Sequence, residues 1–138
     1  GPWRHISLAG FLKNVKQGRN WPYCGTNDAQ ADCFVRVVPV VALYAGSPEL
    51  LDRVADAVRV TQDNPPAIAV GHAFARVLEN IIMWGALGSK AIGEAIEEMG
   101  HKKRRTELSG FYGRVADTMT HSVEQRCLPL YDAVLSIG

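Results

Sequence analysis

The segment DAQADCFVRVVPVVALYA, from Asp28 to Ala45, decides the fold class, because it suits either a buried strand or a buried helix. Its β-branched and aromatic residues favour a strand. Its length, its alanine-rich start and Pro39 favour a helix, since proline cannot lie in a central strand but is tolerated in a kinked buried helix. We therefore predict a buried helix over this segment.

Apolar residues on both sides of this segment recur with helical spacing. Upstream we expect a helix capped by Ser7 and ended by Gly18. Downstream, Ser47-Pro48-Glu49 and Asn64-Pro65 each combine a capping residue with a proline, which is typical of a helix start. The downstream helices are predicted over about 48–61, 65–84, 89–100 (with Ser89 as the cap and Gly100 as the terminator), 108–123 and 129–137.

These elements predict an all-α fold, an antiparallel multi-helix bundle packed around residues 28–45 and 64–84. At 138 residues, 47% hydrophobic, the chain is one globular domain with a sizeable core. Gly1-Pro2 resembles the remnant that a tag-cleaving protease leaves. Residues 3–138 are then a single helical domain or an internal part of a larger one.

Charge and cysteine content narrow the function classes. A net charge of +1 gives no global attraction to nucleic acid or to an anionic membrane. No uninterrupted apolar run reaches the roughly 18 residues of a membrane span, and the pattern of a signal peptide is missing. Cys24, Cys33 and Cys127 form no CxxC pair, so neither a disulfide framework nor a zinc module is indicated. We expect a cytoplasmic protein with no nucleic-acid or membrane partner.

Several stretches resemble the ADP-ribosylglycohydrolase family, in particular its J-crystallin and selenoprotein J branch. The first stretch is Tyr23–Asp32, which runs into Val35–Gly46. The second is Thr61–Ala67, which leads into an alanine-rich helix and is similar to the Thr-His turn of family members. Arg126–Pro129, reading RCLP, is similar to a late Cys-Ser-Leu-Pro run. The resemblance extends over about residues 13–134.

The resemblance implies an all-helical fold, a groove for ADP-ribose, and two magnesium ions that orient water onto the ribose C1. Active members hold the ions with an N-terminal Asp-Asp motif and a C-terminal Asp-x-Asp motif. Neither motif occurs in this sequence, so we expect an internal segment of the family domain, truncated at both ends, without a metal site. Asp28 and Asp32 are the one candidate pair of acids in the loop region, and two carboxylates do not make a two-metal site.

The sequence also departs from the family pattern on the substrate side. Ala31-Asp32 aligns with the usual Asn-Gly, and Val35-Arg36 aligns with Met-Arg. Gln62 replaces the expected histidine, and an amide cannot serve as a proton carrier near neutral pH. We therefore predict no catalytic residue in this chain.

Candidate ligand-binding residues surround the loop before the predicted helix: Gly25, Asn27, Asp28, Asp32 and Arg36. Asp28, Asp32 and Arg36 are spaced i, i+4, so on a helix they would form one stripe with two acids near its positive end. The alternative is an ordinary charge pattern at a helix start, with an exposed Asp32–Arg36 pair. Both interpretations stay open.

Other reactive side chains are predicted to be structural. His72 lies in an apolar helix and is expected to be a hydrogen-bonded core histidine, and Cys33 an inert buried thiol. Cys24 is the more reactive thiol, in a loop anchored by Trp21 and Tyr23. The basic run 101–105 is expected to be a solvated loop.

The leading hypothesis is a non-catalytic binding or structural role, with ADP-ribose or a related nucleotide as the ligand and no cofactor in this chain. One alternative is part of an active magnesium-dependent hydrolase whose catalytic ends lie outside this chain. Another is a structural protein of the crystallin type. Helices that lack their natural neighbours would expose apolar faces, so we also expect a homo-oligomer.

Overall fold

Six α-helices form in the part of the chain that the computed structural model describes, residues 4–86, 88–102 and 108–125. A short 3₁₀ turn, Ala31–Cys33, precedes the second helix, and one isolated parallel bridge joins Thr26 to Gln62. The all-α fold class is confirmed. The helices are α1 (Ile6–Lys16), α2 (Phe34–Tyr44), α3 (Leu50–Arg59), α4 (Pro65–Trp84), α5 (Gly88–Lys102) and α6 (Ser109–Gln125).

Helix α4 is the central element, and it packs against α2, α3, α5 and α6. Its start is the one predicted from Asn64-Pro65: the Asn64 side chain accepts a hydrogen bond from the Ala67 backbone N–H at 3.1 Å. Its end at Gly85 has a left-handed backbone with φ of 59°, which glycine adopts without strain. Local signals therefore fix both ends of the helix that organises the core.

One core cluster joins α2, α3 and α4. Leu50, Val54 and Val58 of α3 are fully buried against Val37 and Val41 of α2. Gly71 of α4 allows this approach, because a Cβ there would lie 3.0 Å from a methyl group of Val58. The helix predicted around Pro39 is confirmed, but its burial is not: Val37 and Val41 are the buried residues of α2, and its other side is exposed.

A second cluster lies on the other side of α4 and joins it to α5 and α6. Ala69 and Ala73 of α4 contact Met99 of α5 and Tyr112 and Ala116 of α6. Small residues on α4 face large ones on its neighbours, which allows close helix packing. The two clusters together account for the burial of α4 on several sides.

The start of α2 differs from the prediction. Residues 28–30 are not helical, 31–33 form the 3₁₀ turn, and α2 begins at Phe34. The Gln62 side chain holds the carbonyl oxygens of Asp28 and Gln30, which a longer helix would need for its own backbone hydrogen bonds. Asp28, Asp32 and Arg36 therefore do not form one helical stripe.

Smaller boundary predictions are also corrected. Ser7 does not cap α1: the helix begins at Ile6 after His5, and the buried Ser7 hydroxyl donates to Asp32 instead. Ser89 lies inside the first turn of α5, and α5 continues past Gly100 to Lys102. The predicted helix from Pro129 and most of the basic run lie outside the described residues.

Within the described residues, α4 alone is long and apolar enough to cross a membrane by length and composition. Four helices pack against it, and 44% of that stretch is buried inside the structure. Part of its apolar surface is thus used in the core, whereas Ile81, Ile82, Met83 and Trp84 at its end are exposed.

The Asn64 cap yields a first prediction. Asn64→Ala removes the acceptor for the Ala67 N–H and the donor to Asn27, so we expect the free energy of unfolding to fall by about 1–2 kcal/mol. Urea denaturation measures the change. Asn64→Asp keeps the acceptor and should lose clearly less; equal losses for the two variants would contradict the capping role.

The buried thiol of Cys33 yields a second prediction. Burial raises the pKa of Cys33 from its ordinary 9.0 to about 11, although Arg36 nearby lowers it in part. The unfolded chain loses this proton above pH 9 while the native chain keeps it, so this group's contribution to stability falls as pH rises from 9 to 11. Urea denaturation across that window should show a shallower decline for Cys33→Ala than for the unmodified chain. Equal declines in the free energy of unfolding for the two chains would contradict the raised pKa of Cys33.

Candidate functional site

The side chain of Gln62 is the centre of the candidate site, and it is completely buried. Its Nε2 donates to the carbonyl oxygens of Asp28, at 3.2 Å, and Gln30, at 2.7 Å. The guanidinium of Arg36 donates to its Oε1. Two acceptors face the amide nitrogen and a donor faces the oxygen, so the orientation of the amide is unambiguous.

The turn after α3 presents Gln62 to the loop that precedes α2. The backbone N–H groups of Thr61 and Gln62 both donate to the Val58 carbonyl, which ends the helix in a tight turn. The Thr26 N–H donates to the Thr61 carbonyl at 2.9 Å, and Asn64 donates to the Asn27 side chain at 2.6 Å. These hydrogen bonds thus join the loop at residues 26–27 to the turn at residues 61–64, which is far away in sequence.

Glycine is required where the loop crosses this turn. A Cβ on Gly25 would lie 2.4 Å from the Arg59 carbonyl oxygen and 2.7 Å from the Asp63 nitrogen, both backbone atoms. Asn14 of α1 donates to the carbonyls of Cys24 and Gly25, each at 3.1 Å. Gly25 is therefore a packing residue of the site.

One prediction about this loop is wrong. Trp21 and Tyr23 do not anchor it, since they are 48% and 76% exposed. Cys24 is only 4% exposed and its thiol donates to the Val60 carbonyl at 3.4 Å, so it is not an accessible thiol. The contacts that hold the loop come from the Asn14 side chain and the Cys24 thiol.

The two carboxylates of the site point to different partners. Asp28 accepts a hydrogen bond from the Gln30 N–H at 3.1 Å, and Asp32 accepts one from Ser7 of α1 at 3.0 Å with His5 3.5 Å away. The predicted Asp32–Arg36 pair is not formed, because Arg36 donates to Gln62 instead. The structure brings Asp28 and Arg36 to Gln62, and Gly25 and Asn27 to neighbouring residues of the turn. Asp32 contacts α1 instead.

Several polar atoms in this region keep unused hydrogen-bonding capacity. Four buried atoms around Gln62 have no hydrogen-bond partner within the described residues: Asp28 Oδ2, Asp32 Oδ1, Arg36 Nε and Thr61 Oγ1. Buried polar atoms are normally satisfied by protein, ordered water or a ligand. The set contains two carboxylate acceptors, a guanidinium donor and a hydroxyl, each with almost no surface exposed to solvent.

The described residues do not fit the dinuclear magnesium centre that the family resemblance implies. Within them, no three His, Cys, Asp or Glu side chains come together in a way that could hold a metal ion. Asp28 and Asp32 each have one oxygen engaged in a hydrogen bond. Magnesium requires near-octahedral oxygen coordination, so no chemical step is derived through this group.

A second buried polar pair lies between α4 and α6. His72 Nε2 is 2.8 Å from the Leu51 carbonyl and therefore donates to it, which leaves Nδ1 of the neutral ring to accept from the Tyr112 hydroxyl at 2.6 Å. Burial raises the pKa of Tyr112. The prediction of a hydrogen-bonded core histidine is confirmed. No local pattern indicates Tyr112 as its partner, because the two residues are 40 positions apart.

Comparison with known proteins agrees with this helical fold. The family model for ADP-ribosylglycohydrolase matches residues 3–134, so the chain belongs to the ADP-ribosylglycohydrolase family. It is similar to crystallin J1A and crystallin J1B of Tripedalia cystophora, each 35% identical over 85 residues. That match covers 62% of this chain and 26% of each crystallin, about a quarter of their length. Solved structures give no significant match.

The buried amide yields a third prediction. Gln62→Ala leaves two carbonyl oxygens and a guanidinium without their partner and opens a cavity, so we expect a loss of about 2–4 kcal/mol in the free energy of unfolding. The control is Gln30→Ala in the same loop. The Gln30 side chain is exposed, and Gln62 contacts only its backbone carbonyl, so this substitution leaves the hydrogen bond in place. Urea denaturation showing similar small losses for both variants would argue against the buried amide as a brace.

Proposed function

We propose that this chain is a non-catalytic member of the ADP-ribosylglycohydrolase family that binds ADP-ribose or a related nucleotide beside Gln62. One observation carries the proposal: the position where the resemblance expects a histidine holds a buried amide whose nitrogen and oxygen are both engaged in bracing the loop. Gln62 therefore supports the site and transfers no proton.

The unused polar atoms support the binding half of the proposal. A ribose presents hydroxyl groups, which donate to carboxylates such as those of Asp28 and Asp32, and a diphosphate accepts from Arg36 and Thr61. Arg36 is already held by Gln62, which limits the side-chain entropy that binding would cost. The proposed ligand thus meets a partly preorganised set of groups.

The absence of hydrolysis follows from the residues available to activate water. Cleavage of a glycosidic bond needs a base or a metal-bound water placed at the ribose carbon. Asp28 and Asp32 are turned toward Gln30 and Ser7, and no cluster of three ligands exists within residues 4–86, 88–102 and 108–125. We accordingly propose no cofactor for this chain.

A structural role is the second candidate, and the similarity to crystallins J1A and J1B favours it. A third, part of an active hydrolase, draws on family membership together with a match to only a quarter of the crystallins' length. Ligand binding without turnover separates the first candidate from both. We also propose a cytoplasmic location, which the free, buried Cys24 and Cys33 support.

Titration calorimetry with ADP-ribose tests the proposal and gives a fourth prediction. We expect binding that is unchanged by magnesium and weakened about tenfold by Thr61→Val, which removes an unpartnered buried hydroxyl without breaking a hydrogen bond in the fold. Thr118→Val on exposed α6 surface is the matched control and should bind normally.

Three results would overturn this proposal. They are no binding at millimolar ligand, equal binding by Thr61→Val, and release of free ADP-ribose from a modified protein that stops on chelation of metal. The first two would favour the structural role, and the third would favour a hydrolase.

A further inference from the structure

A cavity of about 410 Å³ lies between α3, α4 and the start of α6. Its volume is in the range of pockets that bind small molecules. Asp52, Ala55, Asp56 and Arg59 line it from α3, because their i, i+3, i+4 and i+7 spacing places them on one side of that helix. None of its described lining residues contacts the Gln62 side chain, so this cavity is distinct from the site described above.

The buried part of the lining is largely apolar. Ala55, Ile68 and the ring of Tyr112 line the cavity, and these residues are no more than 7% exposed. Leu108, just before α6, adds a partly buried side chain. Such a surface contributes binding free energy when it removes apolar ligand surface from water. A ligand of this cavity therefore carries an apolar part.

The two buried polar side chains of the lining, His72 and Tyr112, have no proton to offer to a ligand. The Tyr112 hydroxyl donates to Nδ1 of His72, and Nε2 of His72 donates to the Leu51 carbonyl. The oxygen of Tyr112 keeps its capacity to accept a hydrogen bond. This pair therefore suits a ligand that donates.

The charges of the lining favour a cation. Arg59 is 3.8 Å from Asp56 and 4.0 Å from Asp63, so its positive charge is balanced. Asp52 makes no hydrogen bond or ion pair with another described residue. Burial raises the pKa of Tyr112, and the negative charge of Asp52 adds to the rise, so this carboxylate lies near the hydroxyl.

We propose that this cavity binds a small organic amine in its protonated form. The ammonium group donates to the Asp52 carboxylate and to the Tyr112 oxygen, and the apolar part of the amine packs on Ala55, Ile68 and Leu108. The charge-assisted hydrogen bond to Asp52 makes the cavity prefer a cation to a neutral molecule of the same shape.

Chemical-shift mapping of the isotope-labelled 138-residue chain with phenethylammonium chloride tests the proposal. We expect the amide signals of Ala55, Ile68 and Tyr112 to shift together as the amine is added. Phenylethyl alcohol has the same shape without the charge and should bind at least about tenfold more weakly. Asp52→Asn, at an exposed position, should weaken binding of the amine about tenfold and leave binding of the alcohol unchanged.

Asp117→Asn is the matched control, because Asp117 is exposed on α6 and is not among the described lining residues. This variant loses the same charge and should bind the amine like the unmodified chain. The proposal is overturned by unchanged signals at about 10 millimolar amine, by equal binding of the amine and the alcohol, or by full binding in Asp52→Asn. An equal loss in Asp117→Asn would also overturn it, since net charge alone would then account for the effect.

Discussion

The buried amide of Gln62 is the interaction on which the loop, the turn and the start of α2 all depend. It follows α3 directly, yet it holds the backbone of residues 28 and 30 and the side chain of Arg36. A buried amide is costly when unpaired and rigid when fully paired. Because these partners lie 26 to 34 positions before Gln62, the loop takes this shape only where the turn after α3 packs against the start of α2.

This dependence explains what sequence reasoning found and what it missed in the fold. Helix periodicity, the Asn64 cap and Pro39 within a helix are local signals, and each was confirmed. The start of α2 was misplaced because Gln62 competes for the carbonyls of residues 28 and 30, which no local pattern reveals. Ser7 was taken for a cap for a similar reason: its partner, Asp32, is 25 positions away.

The candidate ligand-binding residues stay a prediction, and the structure shows only their surroundings. Asp28 and Arg36 contact Gln62, whereas Asp32 contacts α1. Gly25 and Asn27 join the loop to the turn after α3. From the sequence, Gln62 is distinguished only by replacing the histidine that the family resemblance predicts. Its bracing role requires knowing that residues 28, 30, 36 and 62 meet, and that follows from tertiary packing alone.

In this member of the family, Gln62 supports the loop at the position where a histidine is expected, and buried polar atoms without a partner in the described residues lie in the same region. Backbone hydrogen exchange at Thr26 tests this most directly, since its N–H bonds the turn at Thr61. If the amide braces the loop, Thr26 should exchange as slowly as the buried Ala69 in the second turn of α4, because both open only on global unfolding. Exchange at Thr26 near the rate of an unprotected amide, with Ala69 still protected, would contradict the account.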